Sequence, residues 1–224
     1  MTQVDAIFVP PDYFRELRKD ELFADPGRPL EIDIGCGDGS FLQQLAACHP
    51  ERNFLGVERL LGRVDKTARR IERTGLANAR VLRLESSYSV GWLLPTRGVS
   101  RAHLLCPDPW PKKAHRKHRI INHPEFIDGL ERILEPDGEF LLKSDDADFF
   151  ENALEVIAER PAFTRIEWHE DEFPCPQTAF EKQWIAIGRI INRARWRLTA
   201  NTFRQTPSYA WRIFCDSSRS DCVS

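Results

Sequence analysis

At 224 residues, with 42% apolar and 29% charged side chains and a formal charge of −2, the chain is long enough to bury the core of one ordinary domain and too balanced for disorder. No run approaches the roughly 20 apolar residues of a spanning helix, and residues 1–11 lack a basic region followed by an apolar one, so no membrane association and a cytoplasmic location are expected. The charge excludes a uniformly cationic nucleic-acid binder, and six scattered cysteines without a CxxC pair predict reduced thiols rather than a disulfide framework.

Residues 1–28 are read as an N-terminal segment of a single domain spanning 1–224. Beyond it, residues 30–36, 53–59, 79–85, 101–107 and 138–145 are short apolar runs bounded by Gly, Pro or polar residues, the pattern of buried strands. Between them Ser40 to Cys48, Arg63 to Thr74 and Pro124 to Leu134 place apolar residues at three- and four-residue spacing, the signature of helices packed on a sheet. This alternation predicts a doubly wound α/β fold with a mostly parallel, seven-stranded sheet and right-handed crossovers. A helix through Phe149 to Ala158, a late strand at 163–169 and an antiparallel strand near an edge at 190–198 complete it. Residues 199–224 form an extension of unassigned role, with a further strand weakly indicated at 209–215.

The first strand runs into Gly35-Cys36-Gly37-Asp38-Gly39, a turn at the carboxyl end of a central strand where glycines permit close approach of a ligand. The spacing is GxGxG, not the GxGxxG of dinucleotide sites. Glu58 ends the second strand, where a carboxylate can accept both hydroxyls of a ribose. Asp33, just before the glycines, would repel a pyrophosphate and attract a cation. A sulfonium carrying an amino-acid tail fits both. The competing reading makes Asp33 a turn cap and Glu58 a solvated strand end.

After the fourth strand comes Pro107-Asp108-Pro109-Trp110-Pro111-Lys112-Lys113-Ala114-His115-Arg116-Lys117-His118-Arg119. Prolines on either side of Asp108 stop both helix and strand and stiffen a corner. Trp110 offers a ring for stacking or for packing, and the cations that follow can grip phosphates or simply be solvated. Cys106, His115 and His118 imitate metal-ligand spacing, yet no fourth ligand falls at a zinc-like interval, so no metal is expected.

PDPWPKK followed by HRKHR resembles the signature of the bacterial-type tRNA (guanine-N7)-methyltransferase family. Asp33-Ile34-Gly35-Cys36-Gly37, Gly56-Val57-Glu58, Lys143-Ser144-Asp145, and Thr178 to Trp184 continuing to Gly188 through Arg193 are similar to further family blocks, in family order. The resemblance implies a Rossmann-like class I methyltransferase with S-adenosylmethionine as cofactor and tRNA as partner, acting as monomer or homodimer on a guanosine near position 46. It implies cofactor contacts by Asp33, Gly35, Gly37, Glu58 and Asp108, and guanosine contacts by Lys112, Asp145 and the segment from Thr178 to Glu181. Lys113, Arg116, Lys117 and Arg119 are the cations offered to the RNA backbone. The family's adenine-binding Asp or Asn is missing: Glu85-Ser86-Ser87-Tyr88 stands there, so Glu85 or Ser86 must take that contact.

Guanine N7 is a lone-pair nucleophile without a proton, so attack on a sulfonium methyl needs alignment rather than a general base. Asp108 and Asp145 are the residues expected to carry the reaction, and Asp145 or Glu181 the carboxylate that accepts from guanine N1 and N2. For Asp145 the alternative is a helix N-cap. Two other functions compete: methyl transfer to a small molecule or protein nitrogen, and a non-catalytic RNA-binding module.

Overall fold

The computed structural model describes residues 5–168 and 176–199. In chain order the elements are β1 (Ile7–Phe8), α1 (Lys19–Leu22), β2 (Leu30–Ile34), α2 (Ser40–Cys48), β3 (Asn53–Glu58), α3 (Leu61–Thr74), β4 (Ala79–Arg83) and α4 (Ser86–Tyr88), the last continuing as a π-helical turn over Ser89–Leu93. Then follow β5 (Val99–Leu105), 3-10 turns at Lys113–His118 and Ile120–Asn122, α5 (Pro124–Ile133), β6 (Leu134–Ser144), α6 (Ala147–Ala158), β7 (Phe163–Ile166), α7 (Ala179–Ala186) and β8 (Asn192–Leu198).

The strands form one sheet in the order β1-β4-β3-β2-β5-β6-β8-β7. Pairs from β1 through β6 are parallel, whereas β8 runs antiparallel to both β6 and β7. Every residue of β2 and β3 is buried, as central parallel strands covered on both faces require. Order reverses between β2 and β5, which opens a crevice beyond their carboxyl ends.

Helices α2 and α3 cover one face, setting Phe41, Leu42, Leu45, Val64, Ala68 and Ile71 against Phe54 and Val81. On the other, α5, α6 and the π-helical turn bury Phe126, Leu130, Phe149 and Leu93 with Ile32, Leu104 and Phe140. Each fully buried side chain of this kind contributes about 1.5–3 kcal/mol. The first face also holds a polar layer, in which His103 Nε2 lies 2.7 Å from Glu31 Oε2 and Arg101 bridges Glu31 to Glu139.

The architecture is the expected one, with differences of detail. Among the described residues the sheet has eight strands, not seven; the addition is β1, too short to show a period and held on the edge by β4. Between β4 and β5 the apolar spacing marks no helix, yet Ser86–Leu93 is helical. Here Glu85 starts the turn by accepting the Tyr88 amide at 2.7 Å. The strand read at 163–169 ends at Ile166. The weaker strand at 209–215 lies outside the described residues. None of the described helices is long and apolar enough to cross a membrane.

Candidate active site

A cleft of about 410 Å³ opens at the crevice between β2 and β5. It is lined by Gly35 and Glu58 from the ends of β2 and β3, Glu85 and Ser86 after β4, and Pro107, Asp108 and Trp110 after β5. The sheet order thus gathers side chains from four separate runs of sequence.

Gly35, Gly37 and Gly39 all have positive φ, but they serve different ends. A Cβ on Gly35 would meet nothing within 4 Å, so that position leaves its backbone open to the cleft. A Cβ on Gly39 would lie 2.5 Å from Thr67 Cγ2; this glycine lets α3 close on the loop, where Thr67 Oγ1 donates to the Gly37 carbonyl at 3.2 Å. Asp38 is held by Arg70 at 3.0 Å and faces α3.

Asp33 and Glu58 supply the charge. Asp33 is 4% exposed, and its carboxylate has neither a hydrogen bond nor an ion pair among the described residues. Burial, and then the charge on Glu58, push its carboxyl up to about 7. Glu58 accepts the Leu60 amide at 2.8 Å and has Arg63 at 3.7 Å. Although Arg59 and Arg63 also line the cleft, the Asp33 carboxylate is buried with no cation of its own beside Glu58, which fits a cationic, ribose-bearing ligand better than an anionic one. S-adenosylmethionine has that character, and Glu85 and Ser86 line the same cleft.

The proline corner is strained as well as stiff, since Cys106 and Trp110 adopt positive φ without being glycine. The Cys106 amide donates to the Lys143 carbonyl at 2.8 Å, tying the corner to β6. Burial, followed by the charges of Asp145 and Glu181, pushes the Cys106 thiol up to about 12, so it is no thiolate nucleophile. Trp110 is partly exposed, with the rings of His118 and His115 at 5.3 and 5.9 Å. Asp108 is exposed at the cleft wall.

The basic run divides. Lys112, Lys113 and Lys117 are exposed, and Arg116 pairs with Asp148 at 2.6 Å. Arg119, expected on the RNA backbone, is fully buried, which corrects that expectation. Its Nε donates to the Pro109 carbonyl at 2.8 Å and its Nη1 to the Asp148 carbonyl and Asn152 at 3.2 and 3.3 Å, while Nη2 pairs with the Asp148 carboxylate. A charge with its donors satisfied by protein is no longer offered to phosphate. Sequence could not separate Arg119 from its neighbours, because all are cations in one polar run.

Asp145, Thr178 and Glu181 are not among the residues lining the cleft; the N-cap of α6 is Asp146, whose Oδ1 accepts the Phe149 amide at 2.7 Å. The capping role considered for Asp145 therefore falls to the next residue. Asp145 instead pairs with Arg189 at 3.0 Å. Thr178 and Glu181 form a capping box at the start of α7, with the Glu181 amide donating to Thr178 Oγ1 at 2.9 Å. Glu181 also receives the buried Lys143 ammonium at 2.9 and 3.2 Å. Lys143, which in the sequence is distinguished only as part of the Lys143-Ser144-Asp145 block, thus seats α7 on β6. Among the described residues no cluster of side chains could hold a metal.

Residues 27–194 match the methyltransferase family model Methyltransf_4. The tRNA (guanine-N(7)-)-methyltransferase of Syntrophotalea carbinolica is 39% identical over 74% of this chain and 68% of its own length. That of Rubrobacter xylanophilus is 35% identical over 79% of each chain. Among solved structures, the 16S rRNA methyltransferase KamB superposes with a TM-score of 0.60 at 15% identity, over 83% of this chain and 96% of its own. A 16S rRNA (adenine(1408)-N(1))-methyltransferase from Catenulisporales acidiphilia, solved with its cosubstrate SAM, gives 0.55 at 15% identity over 84% and 95%. At such identity the structural likeness concerns the fold.

Proposed function

This chain belongs to the tRNA (guanine-N7)-methyltransferase family, and from that membership we propose how its residues carry methyl transfer from S-adenosylmethionine to N7 of a tRNA guanosine. The supporting observation is convergence at one cleft: Gly35, Glu58 and the strained Pro107 to Trp110 corner line it, and the buried Asp33, under the charge of Glu58, stands two residues before Gly35.

Asp33 and Glu58 would hold the amino-acid and ribose parts of the cofactor, Gly35 and Gly37 would let it approach the backbone, and Glu85 or Ser86 would meet the adenine. When bound, the cofactor supplies an electrophilic methyl group. The protein's own task is alignment, because N7 has no proton to remove. Holding two reactants in line is worth about 7–11 kcal/mol in well-oriented systems. Asp108, on the rigid corner between the cofactor wall and Trp110, fixes the line of approach.

Of the two carboxylates considered for guanine, Glu181 is committed to Lys143 and the α7 cap. Asp145 has a half-exposed partner, Arg189, that can move aside. Asp145 is therefore the acceptor for guanine N1 and N2, and Glu181 a positioning residue. The exposed Lys112, Lys113 and Lys117 reach the RNA, with Lys112 nearest the base, and the guanosine near position 46 is the target.

Incubation with labelled S-adenosylmethionine and unmodified tRNA, followed by nucleoside analysis, should yield 7-methylguanosine. Asp108→Ala should abolish that product while leaving tRNA affinity largely intact. A fully active variant, or label in another nucleoside, would overturn the assignment. A small-molecule methyltransferase would show no steep loss of tRNA affinity with salt. A non-catalytic RNA-binding module would give no heat on titration with S-adenosylhomocysteine.

A further inference from the structure

We propose that the outer flank of α3 is a second phosphate-binding surface, which carries the tRNA backbone away from the cleft on the side opposite the basic run at residues 112–117. The inference rests on tRNA being the substrate. Arg59 and Arg63 line the cleft itself. Continuing along α3, Lys66, Arg69, Arg70 and Arg73 follow at three- and four-residue spacing. At about 100° per residue the five helical cations, Arg63 to Arg73, fall within an arc of about 120°, whereas the helix's two acids, Asp65 and Glu72, lie together beyond one edge of it. The buried positions Val64, Thr67, Ala68 and Ile71 turn the opposite side inward.

Partners consume little of this charge. Arg70 is held by Asp38 at 3.0 Å, and Arg63 lies 3.7 Å from Glu58. Arg59, Lys66, Arg69 and Arg73 are exposed and have no ion pair among the described residues. The flank adjoins the glycine loop, because Thr67 and Arg70 at its margin bond Gly37 and Asp38. A basic strip about 20 Å long therefore starts at the reaction cleft and runs down the molecule.

The rest of the surface shows that this placement is not average charge. Over its whole length α6, on the other face of the sheet, carries no Lys or Arg, and Glu151, Glu155 and Glu159 are exposed along it. A chain of formal charge −2 thus presents one strongly positive helix beside the cleft and a negative one behind the sheet. A polyanion is attracted to the first and repelled by the second. The complement of a strip this long, continuous with the reaction cleft, is a nucleic-acid backbone, and the substrate supplies it.

The test is a triple variant, Lys66→Ala with Arg69→Ala and Arg73→Ala. Alanine is the strongest helix former, so α3 is kept, and none of the three residues lines the cleft. Affinity for an unmodified tRNA transcript is measured from about 50 to 200 mM salt, alongside S-adenosylhomocysteine affinity and thermal stability. Each lost phosphate contact should reduce the slope of log K against log salt by about 0.7–0.9, so a fall of about two is expected, with tRNA affinity reduced tenfold or more. Cofactor affinity and melting temperature should not change.

Glu151→Gln with Glu155→Gln on α6 should leave the salt slope where it was, and Lys66→Arg should preserve it. An unchanged slope in the alanine variant overturns the proposal, and is also the result expected if the strip serves an acidic protein instead. Should the triple variant melt early, Lys66→Gln with Arg73→Gln makes the same comparison with less change. Failure of the substrate reading itself looks different: the wild-type protein would then make no 7-methylguanosine and its tRNA binding would not respond to salt.

Discussion

Arg189, from the turn after α7, places its Nη1 3.0 Å from Oδ2 of Asp145 at the end of β6, and its guanidinium lies 3.9 Å above the Trp184 ring. The pair is asymmetric, with the Asp145 side chain 10% exposed and that of Arg189 49%. An ion pair with one half in solvent is worth at most about 1 kcal/mol. Arg189→Ala should therefore barely change the melting temperature. Asp145→Asn should lower kcat by about 100-fold through loss of the carboxylate that faces the charge developing on guanine, with cofactor affinity unchanged. Steady-state kinetics with tRNA and calorimetry with S-adenosylhomocysteine check both.

Arg119 should behave in the opposite way. Its guanidinium is buried and bonds Pro109, Asp148 and Asn152. Arg119→Met would leave the Pro109 carbonyl without its donor and unpin the corner that carries Asp108. Asp148 is half-exposed and returns to solvent, so the main cost is that of leaving a buried carbonyl unsatisfied, about 1–3 kcal/mol. In a chain this size that is a fall in melting temperature of roughly 2–12 °C. Weaker cofactor binding should accompany it, with little change in salt slope, since Arg119 touches no phosphate.

Asp33 gives the site a pH dependence. Its carboxyl sits at about 7 in the free protein, mainly through burial, against about 3.9 when unfolded. Between those values the folded state holds a proton that the unfolded state has released. The cofactor-free fold therefore loses stability as pH rises from about 4 to about 7. Binding a cation requires the ionised form, so S-adenosylhomocysteine, through its ammonium, should bind more weakly below pH 7, by up to tenfold per unit, and level off above. Titration calorimetry at several pH values should show this, and Asp33→Asn should flatten the curve while weakening binding throughout.

Two glycines should separate stability from binding. Gly39→Ala puts a Cβ at 2.5 Å from Thr67 in a left-handed backbone, and should cost about 2–4 kcal/mol by combined strain and overpacking. Gly35→Ala meets no atom, so it should cost only about 1–2 kcal/mol yet obstruct the ligand's approach. Thermal denaturation with and without S-adenosylhomocysteine distinguishes them: the ligand should restore the first variant and have little effect on the second.

The chain by itself determined whatever depends on neighbours in sequence. Apolar runs named the central strands, helical spacing placed α2 and α3, and the prolines around Asp108 marked a corner whatever surrounds it, because each acts through local backbone sterics or periodic burial. The GxGxG turn with Asp33 and Glu58 was likewise legible, each residue standing at the end of a strand. Tertiary structure decided what each charge does. Arg116, Lys117 and Arg119 read alike in sequence; only the approach of α6 takes Arg119 out of water and pairs it. Asp145 and Asp146 compete for one cap, and the start of α6 gives it to Asp146. Lys143 finds Glu181 across a gap of 38 residues, and the strip on α3 adjoins the cleft only because β2 and β3 are neighbours in the sheet. An ionised side chain has the same chemistry solvated or buried, so its partner is fixed by the fold rather than by its place in the sequence.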